Sequence, residues 1–146
     1  MKQSAFMDIV DRLIEIVQAD PPISPNVFRA RDRSLAEQYD TAIAIEWSGS
    51  DPYQGAIKGA PVDRDSVFTV ECWARTTTQT SDLAVDPLMV AIHARIMADT
   101  TLGGLVSDVA EPRQMPENTA EKKKTGWVVQ PFVITHRTTN LTLEAP

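Results

Sequence analysis

Cysteine is almost absent from this chain: Cys72 stands alone, so no disulfide can form within it. A lone cysteine leans towards a reducing compartment and leaves stability to packing. Histidine is scarce as well. His93 and His136 are the only two, and neither has a partner at the spacing that zinc ligands need. Long apolar runs are missing; nothing approaches the roughly 20 residues that cross a bilayer. The opening segment does not read as a secretory signal, because Asp8, Asp11, Arg12 and Glu15 break its apolar residues. The chain is therefore expected to be made in the cytoplasm and to remain there. A basic excess is absent too. The net charge of −6 disfavours broad contact with nucleic-acid phosphates, so no direct nucleic-acid recognition and no membrane partner are expected. Phosphate loops are missing, since Gly103-Gly104 has neither the Gly-Lys-Ser/Thr ending nor the spacing of a dinucleotide fingerprint.

What is present suits one α+β domain over residues 1–146. With 42% hydrophobic and 23% charged residues, the composition is that of an ordinary soluble domain, one able to build a core without staples. Residues 4–18 place Phe6, Ile9, Val10, Leu13, Ile16 and Val17 at helical spacing, with charged residues opposite. Ser4 is suited to cap this helix, and Asp20-Pro21-Pro22 ends it. Residues 27–31 form a short candidate strand. Residues 41–47 alternate, with Ile43, Ile45 and Trp47 on one face and Ala42, Ala44 and Glu46 on the other. Residues 48–65, punctuated by Gly49, Pro52, Gly55, Gly59 and Pro61, are expected to form a long loop.

Residues 66–75 read as a strand with Phe68, Val70, Cys72 and Ala74 on one face, followed by a polar linker at 76–81. A second helix is expected over about 87–99, capped by Asp86, opened by Pro87 and stopped by Gly103. Leu88, Ile92 and Ile96 form its stripe, broadened by Met89 and Ala91. A short strand at 106–111, a polar loop at 112–126 and a long strand at 127–138 close the fold, the last two strands as a hairpin. The fold class is thus α+β: a mostly antiparallel sheet of four to five strands with two helices packed on one face.

No residue set is singled out for chemistry. Cys72 with His136 and an acid is the sharpest catalytic arrangement that can be drawn. Cys72, however, alternates with Val70 and Ala74, where a small buried residue is expected and a reactive thiolate is not. Asp63, Asp65 and Glu71 include no pair marked for acid–base work. No catalytic, cofactor-binding or metal residue is assigned, and no cofactor is expected. Lys122, Lys123 and Lys124 read most simply as a solvated hairpin tip; their functional reading is contact with an acidic partner. Trp47, Trp73 and Trp127 all fall in strands. Packing is the default for each, and one on an exposed face would anchor an interface.

The layout resembles the tail terminator (tail-completion) proteins of long-tailed bacteriophages, the lambda-type minor tail family. The resemblance rests on the opening helix from Phe6 to Val17, the Ile43-Ala44-Ile45-Glu46-Trp47 strand and the Val67-Phe68-Thr69-Val70 strand. It continues through the helix ending in Leu102-Gly103-Gly104-Leu105 and the final strand running out through His136-Arg137-Thr138-Thr139. The loop at 48–65 has no counterpart in it. The resemblance implies a structural virion protein of the tail, without catalysis. It would form a six-membered homo-oligomeric ring on the head-proximal end of the tail tube, stop polymerisation, and offer a surface to the head–tail connector protein.

Subunits of such a ring would join head to tail, and one form of that contact is an edge strand pairing with the neighbour's sheet. Residues 27–31 and the last strand are both candidate edges. Interface candidates are Lys122, Lys123 and Lys124 on the second loop, Tyr53 on the first, Trp127 at the start of the last strand, and Arg29 and Arg31 on the short strand. Two other readings stay open. One is a head–tail connector, stopper or other small tail subunit. The other is a small enzyme or ligand-binding domain with His136, Arg137 and Cys72 near a pocket.

Overall fold

The computed structural model describes residues 2–30, 39–52, 60–117 and 124–146, except the side chain of Lys124. The first helix, α1, spans Ala5–Gln18. Its apolar stripe explains it: Phe6, Ile9, Val10, Leu13 and Val17 are buried along one side. The Ser4 hydroxyl accepts from the Met7 amide at 3.3 Å, satisfying one of the free N–H groups of the first turn. The other end is closed by tertiary structure. Arg95, from the second helix, donates to the carbonyls of Ile16 (3.2 Å), Val17 (3.4 Å) and Ala19 (2.8 Å), and also to that of Pro21. A guanidinium there supplies donors and positive charge to a helix end that lacks both. Arg95→Ala is expected to cost about 1–2 kcal/mol, read as a shift of the urea midpoint at unchanged slope.

Among the described residues the sheet has six strands: β1 (Val27–Arg29), β2 (Thr41–Pro52), β3 (Val62–Thr76), β4 (Asp108–Val109), β5 (Met115–Glu117) and β6 (Lys124–Thr138). Their order is β1-β2-β3-β6-β4, with β5 also on β6. Only β1 pairs in parallel. The fold is α+β as expected, with one or two more strands than the alternation reveals.

Three expectations about the strands need correction. Residues 48–52 and 62–65 are strand, not loop: the β2–β3 ladder continues from Trp47↔Phe68 to Pro52↔Arg64. Gly49, at φ +130°, sits at a register shift that resets the ladder, and β3 is held on its other side by β6 from Val62↔Thr138 onward. The last strand is not an edge, because β3 lies on one side of β6 and β4 and β5 on the other. The segment 112–126 is not all loop, since β5 contains Pro116 and β6 begins at Lys124.

The second helix, α2, spans Ser81–Met97, so Pro87 lies inside it and Thr80 precedes it as the cap residue. Asp82 accepts from the Leu83 amide at 2.9 Å, and Ala84 and Val85 are buried, so the turns before Pro87 are fixed by packing. Gly126 permits this: a Cβ there would stand 2.0 Å from the Ser81 carbonyl oxygen. The helix stops at Met97, six residues before Gly103. The Asp99 carboxylate then organises the turn, accepting from the amides of Thr101 (3.0 Å) and Gly103 (2.8 Å). Leu102, Gly103 and Gly104 follow with positive φ.

Between helices and sheet lies the main core, with Phe68, Phe132, Ile43, Ile45, Ile92 and Ile96 at its centre. The opposite sheet face carries a second cluster in which Trp73 stacks on Trp127 at 4.8 Å, beside Ala42, Ala44 and Val129. Among the described residues no helix is long and apolar enough to cross a membrane.

Candidate functional site

Strand register separates the groups that catalysis would need together. Cys72 pairs with Val128, while His136 pairs with Arg64, eight positions away along β3. At about 3.4 Å per residue that is roughly 27 Å. Cys72 is buried, and burial, followed by the neighbouring Glu71 charge, pushes its thiol up to about 12. A thiol so placed stays protonated and unreactive. His136 is also buried, with Nε2 2.6 Å from the Ser66 hydroxyl and Phe6 edge-on at 5.6 Å. Ser66, not anticipated from the sequence, is itself fully buried, and a cavity of about 340 Å³ bordered by Ala5, Ser107, His136 and Arg137 lies beside the ring, without Cys72 in its lining. Arg137 turns to Asp63, its Nε donating at 2.7 Å. His93 meets Glu111 at 2.6 Å on the surface. No group of three or more His, Cys, Asp or Glu able to hold a metal occurs among the described residues.

Burial lowers the pKa of His136 from 6.5. Below about pH 6.5 the unfolded chain takes up a proton there that the folded chain refuses, so stability falls as pH drops through that window. One residue can contribute a slope of at most about 1.4 kcal/mol per pH unit. Ring nitrogen shifts recorded during a pH titration check it; a midpoint at or above 6.5 would contradict the burial argument.

The residues suited to contact lie elsewhere. Trp47 is 40% exposed, on the helix side of the sheet near its β2 edge. Its ring stacks on Phe6 at 4.4 Å with an interplanar angle of 12°. Phe6 is held in turn by Arg64, whose guanidinium carbon lies 5.8 Å from the ring centre and whose Nε donates to Thr138 Oγ1 at 2.9 Å. Trp47 thus presents one free face on a fixed aromatic base. Arg29 stands on the β1 side, paired with Asp11 of α1 and within 3.7 Å of the Met7 sulfur. Of the three tryptophans only this one is exposed, and its place at the end of the Ile43-Ile45-Trp47 stripe was the signal for it.

A groove lies across the sheet, between the first half of α2 and β5. Val85, Met89, Pro116 and Val128 form its apolar part, Trp127 borders it from β6, Asp82 and Asp86 stand at its rim, and its volume is about 290 Å³. The Asp82 carboxyl is held below its ordinary range by the Thr80 hydroxyl and then the Leu83 amide, so it stays charged. Leu83 and Val90, at 60% and 55% exposure, continue the apolar surface along the outside of α2.

The strand edges are guarded. β1 has only three residues and is followed by Ala30 at φ +66°; β2 carries the irregularity at Gly49; Pro112 and Pro116 interrupt the run alongside β6. Short edges, bulges and prolines all oppose strand addition. Of the interface candidates, Arg29 lies on the exposed β1 margin, and Trp127 is buried against Trp73 while reaching the groove. Tyr53, Arg31, Lys122 and Lys123, with the Lys124 side chain, lie outside the described residues.

No protein-family model matches the chain, and no curated protein matches it. Among solved structures, a chain from the virion of a native gene transfer agent particle is similar over 86% of this chain and 91% of its own length. The two share 14% identity, with a TM-score of 0.45.

Proposed function

We propose that this chain is a structural virion protein that caps the head-proximal end of a phage tail tube. In this reading copies close into a ring, six by the family resemblance. One face of the ring satisfies the growing end of the tube and cannot accept another tube ring. The other face receives the head–tail connector protein. No cofactor and no catalytic residue enter. The observation that carries the reading is the placement of two contact surfaces, Trp47 and the α2–β5 groove, near opposite margins of one rigid sheet. Surfaces so placed suit a head-to-tail contact, which closes by rotation. The Cys72–His136 separation removes the main catalytic competitor.

Native mass spectrometry across a concentration series, at low and moderate salt, tests the ring. A discrete closed species, six-fold by the resemblance, is expected to grow with concentration. A strict monomer at every concentration and salt level that also fails to assemble when tail tubes are added overturns the ring reading.

A further inference from the structure

We infer that Trp47 of one copy seats its free face in the α2–β5 groove of the next copy, forming the junction between neighbouring subunits. The inference rests on the ring reading and names the contact that would close it. Trp47 pairs with Phe68, which pairs with Phe132, five positions along β6 from Trp127 at the border of the groove. The two surfaces are therefore about 17 Å apart along the strands and three strand steps apart across the sheet. Both lie on the helix side. Within one copy Trp47 is committed to Phe6 and cannot reach its own groove, so the two surfaces can meet only between copies.

Size and charge agree. A groove of about 290 Å³ is sized for one large side chain, and tryptophan is the residue most often found anchoring such pockets. Stacking on Phe6 fixes the indole before contact, which lowers the ordering cost. Arg64 lies over the Phe6 ring that backs Trp47, while Arg29 on the neighbouring strand is neutralised by Asp11; the rim of the groove carries Asp82 and Asp86. Meeting in this orientation brings the Arg64 guanidinium towards carboxylates, which a contact of Trp47 with Trp47 does not. A contact joining two different surfaces is head to tail, and it does not need the guarded strand edges.

The test uses two full-length variants, Trp47→Ala with an intact groove, and Asp86→Arg with Pro116→Arg, which blocks the groove and leaves Trp47 intact. All three substituted positions are exposed. Thermal melts establish that each variant folds, and sedimentation velocity reads assembly. Each variant alone is expected to associate at least about 30-fold more weakly than wild type, the scale of a hot-spot truncation. Mixed in equal amounts they are expected to form a one-to-one dimer and nothing larger, because one competent junction remains per pair. Trp47→Ala that still forms rings, or a mixture that stays monomeric, overturns this junction while wild-type rings keep the ring reading standing. Wild type that never assembles overturns both. Should Trp47→Ala fail to fold, oxidative cross-linking of Arg29→Cys chains with Asp86→Cys chains replaces it, since Arg29 stands on the helix side beside α1; the native Cys72 is buried and does not compete. Cross-linked dimers of one chain of each kind support the junction, and an absence of cross-links in assembled protein removes it.

Discussion

Phe132→Ala is expected to destabilise the chain by about 3–5 kcal/mol, the largest effect of any single truncation considered. Phe132 is fully buried, lies at the middle of β6 and faces Phe68 across the ladder, with the helices above both. Truncation removes the transfer energy of the ring and leaves a cavity that strands paired on both sides cannot collapse into. A domain of this size holds roughly 5–15 kcal/mol in total, so about a fifth or more of its stability is at stake. The thermal midpoint should fall by roughly 10–20 °C. Val133, one residue on, is 38% exposed and points to the opposite face; Val133→Ala should cost about 1 kcal/mol or less. Similar losses at the two positions would mean that β6 is not oriented as described.

The second large effect is expected at Gly126. A Cβ added there would stand 2.0 Å from the Ser81 carbonyl oxygen, 2.8 Å from its carbon and 3.0 Å from the Val85 Cβ. Backbone atoms of a helix cannot step aside as a flexible side chain does. Gly126→Ala should therefore lift the first turns of α2 from the sheet, at about 1–3 kcal/mol. Hydrogen exchange offers the sharper reading: amides of the turns before Pro87 should lose protection while those around Ile92 keep it. Gly104→Ala is the useful contrast. Nothing lies within 4 Å of its added Cβ, so its cost comes only from a φ of +86°. Unchanged protection in α2 of Gly126→Ala would dismiss the close-approach account.

This glycine also shows where sequence reading stops. Asp86-Pro87 is a strong local start signal, and it was overridden by contacts from a residue 40 positions away, which no local pattern encodes. The same limit hid the outer halves of β2 and β3. Their polar residues lack alternation, and they are strands because β6 pairs with β3 there. By contrast α1, the Ile43-Ile45 face, the Phe68-to-Ala74 face and the Leu88-Ile92-Ile96 stripe were all legible, since each buries an apolar period. The contact site was legible only in part. That one tryptophan would anchor an interface could be stated, but choosing Trp47 needed to know which strand end stays uncovered. The groove joins residues from α2, β5 and β6, and no spacing in the sequence foretells it.

Arg95 has a bearing on how the chain is made. The α1 carbonyls it grips lie 76 to 79 residues earlier. During translation at about 5–20 residues per second, α1 waits several seconds for the residue that closes it. Its opening waits longer still, because the Ala5 amide donates to the carbonyl of Leu143 at 2.8 Å. Helix α1 thus leaves the ribosome before α2 and is completed after it. Until then its apolar stripe stays open to the crowded cell, and a chaperone that shields nascent apolar segments would find its binding site there.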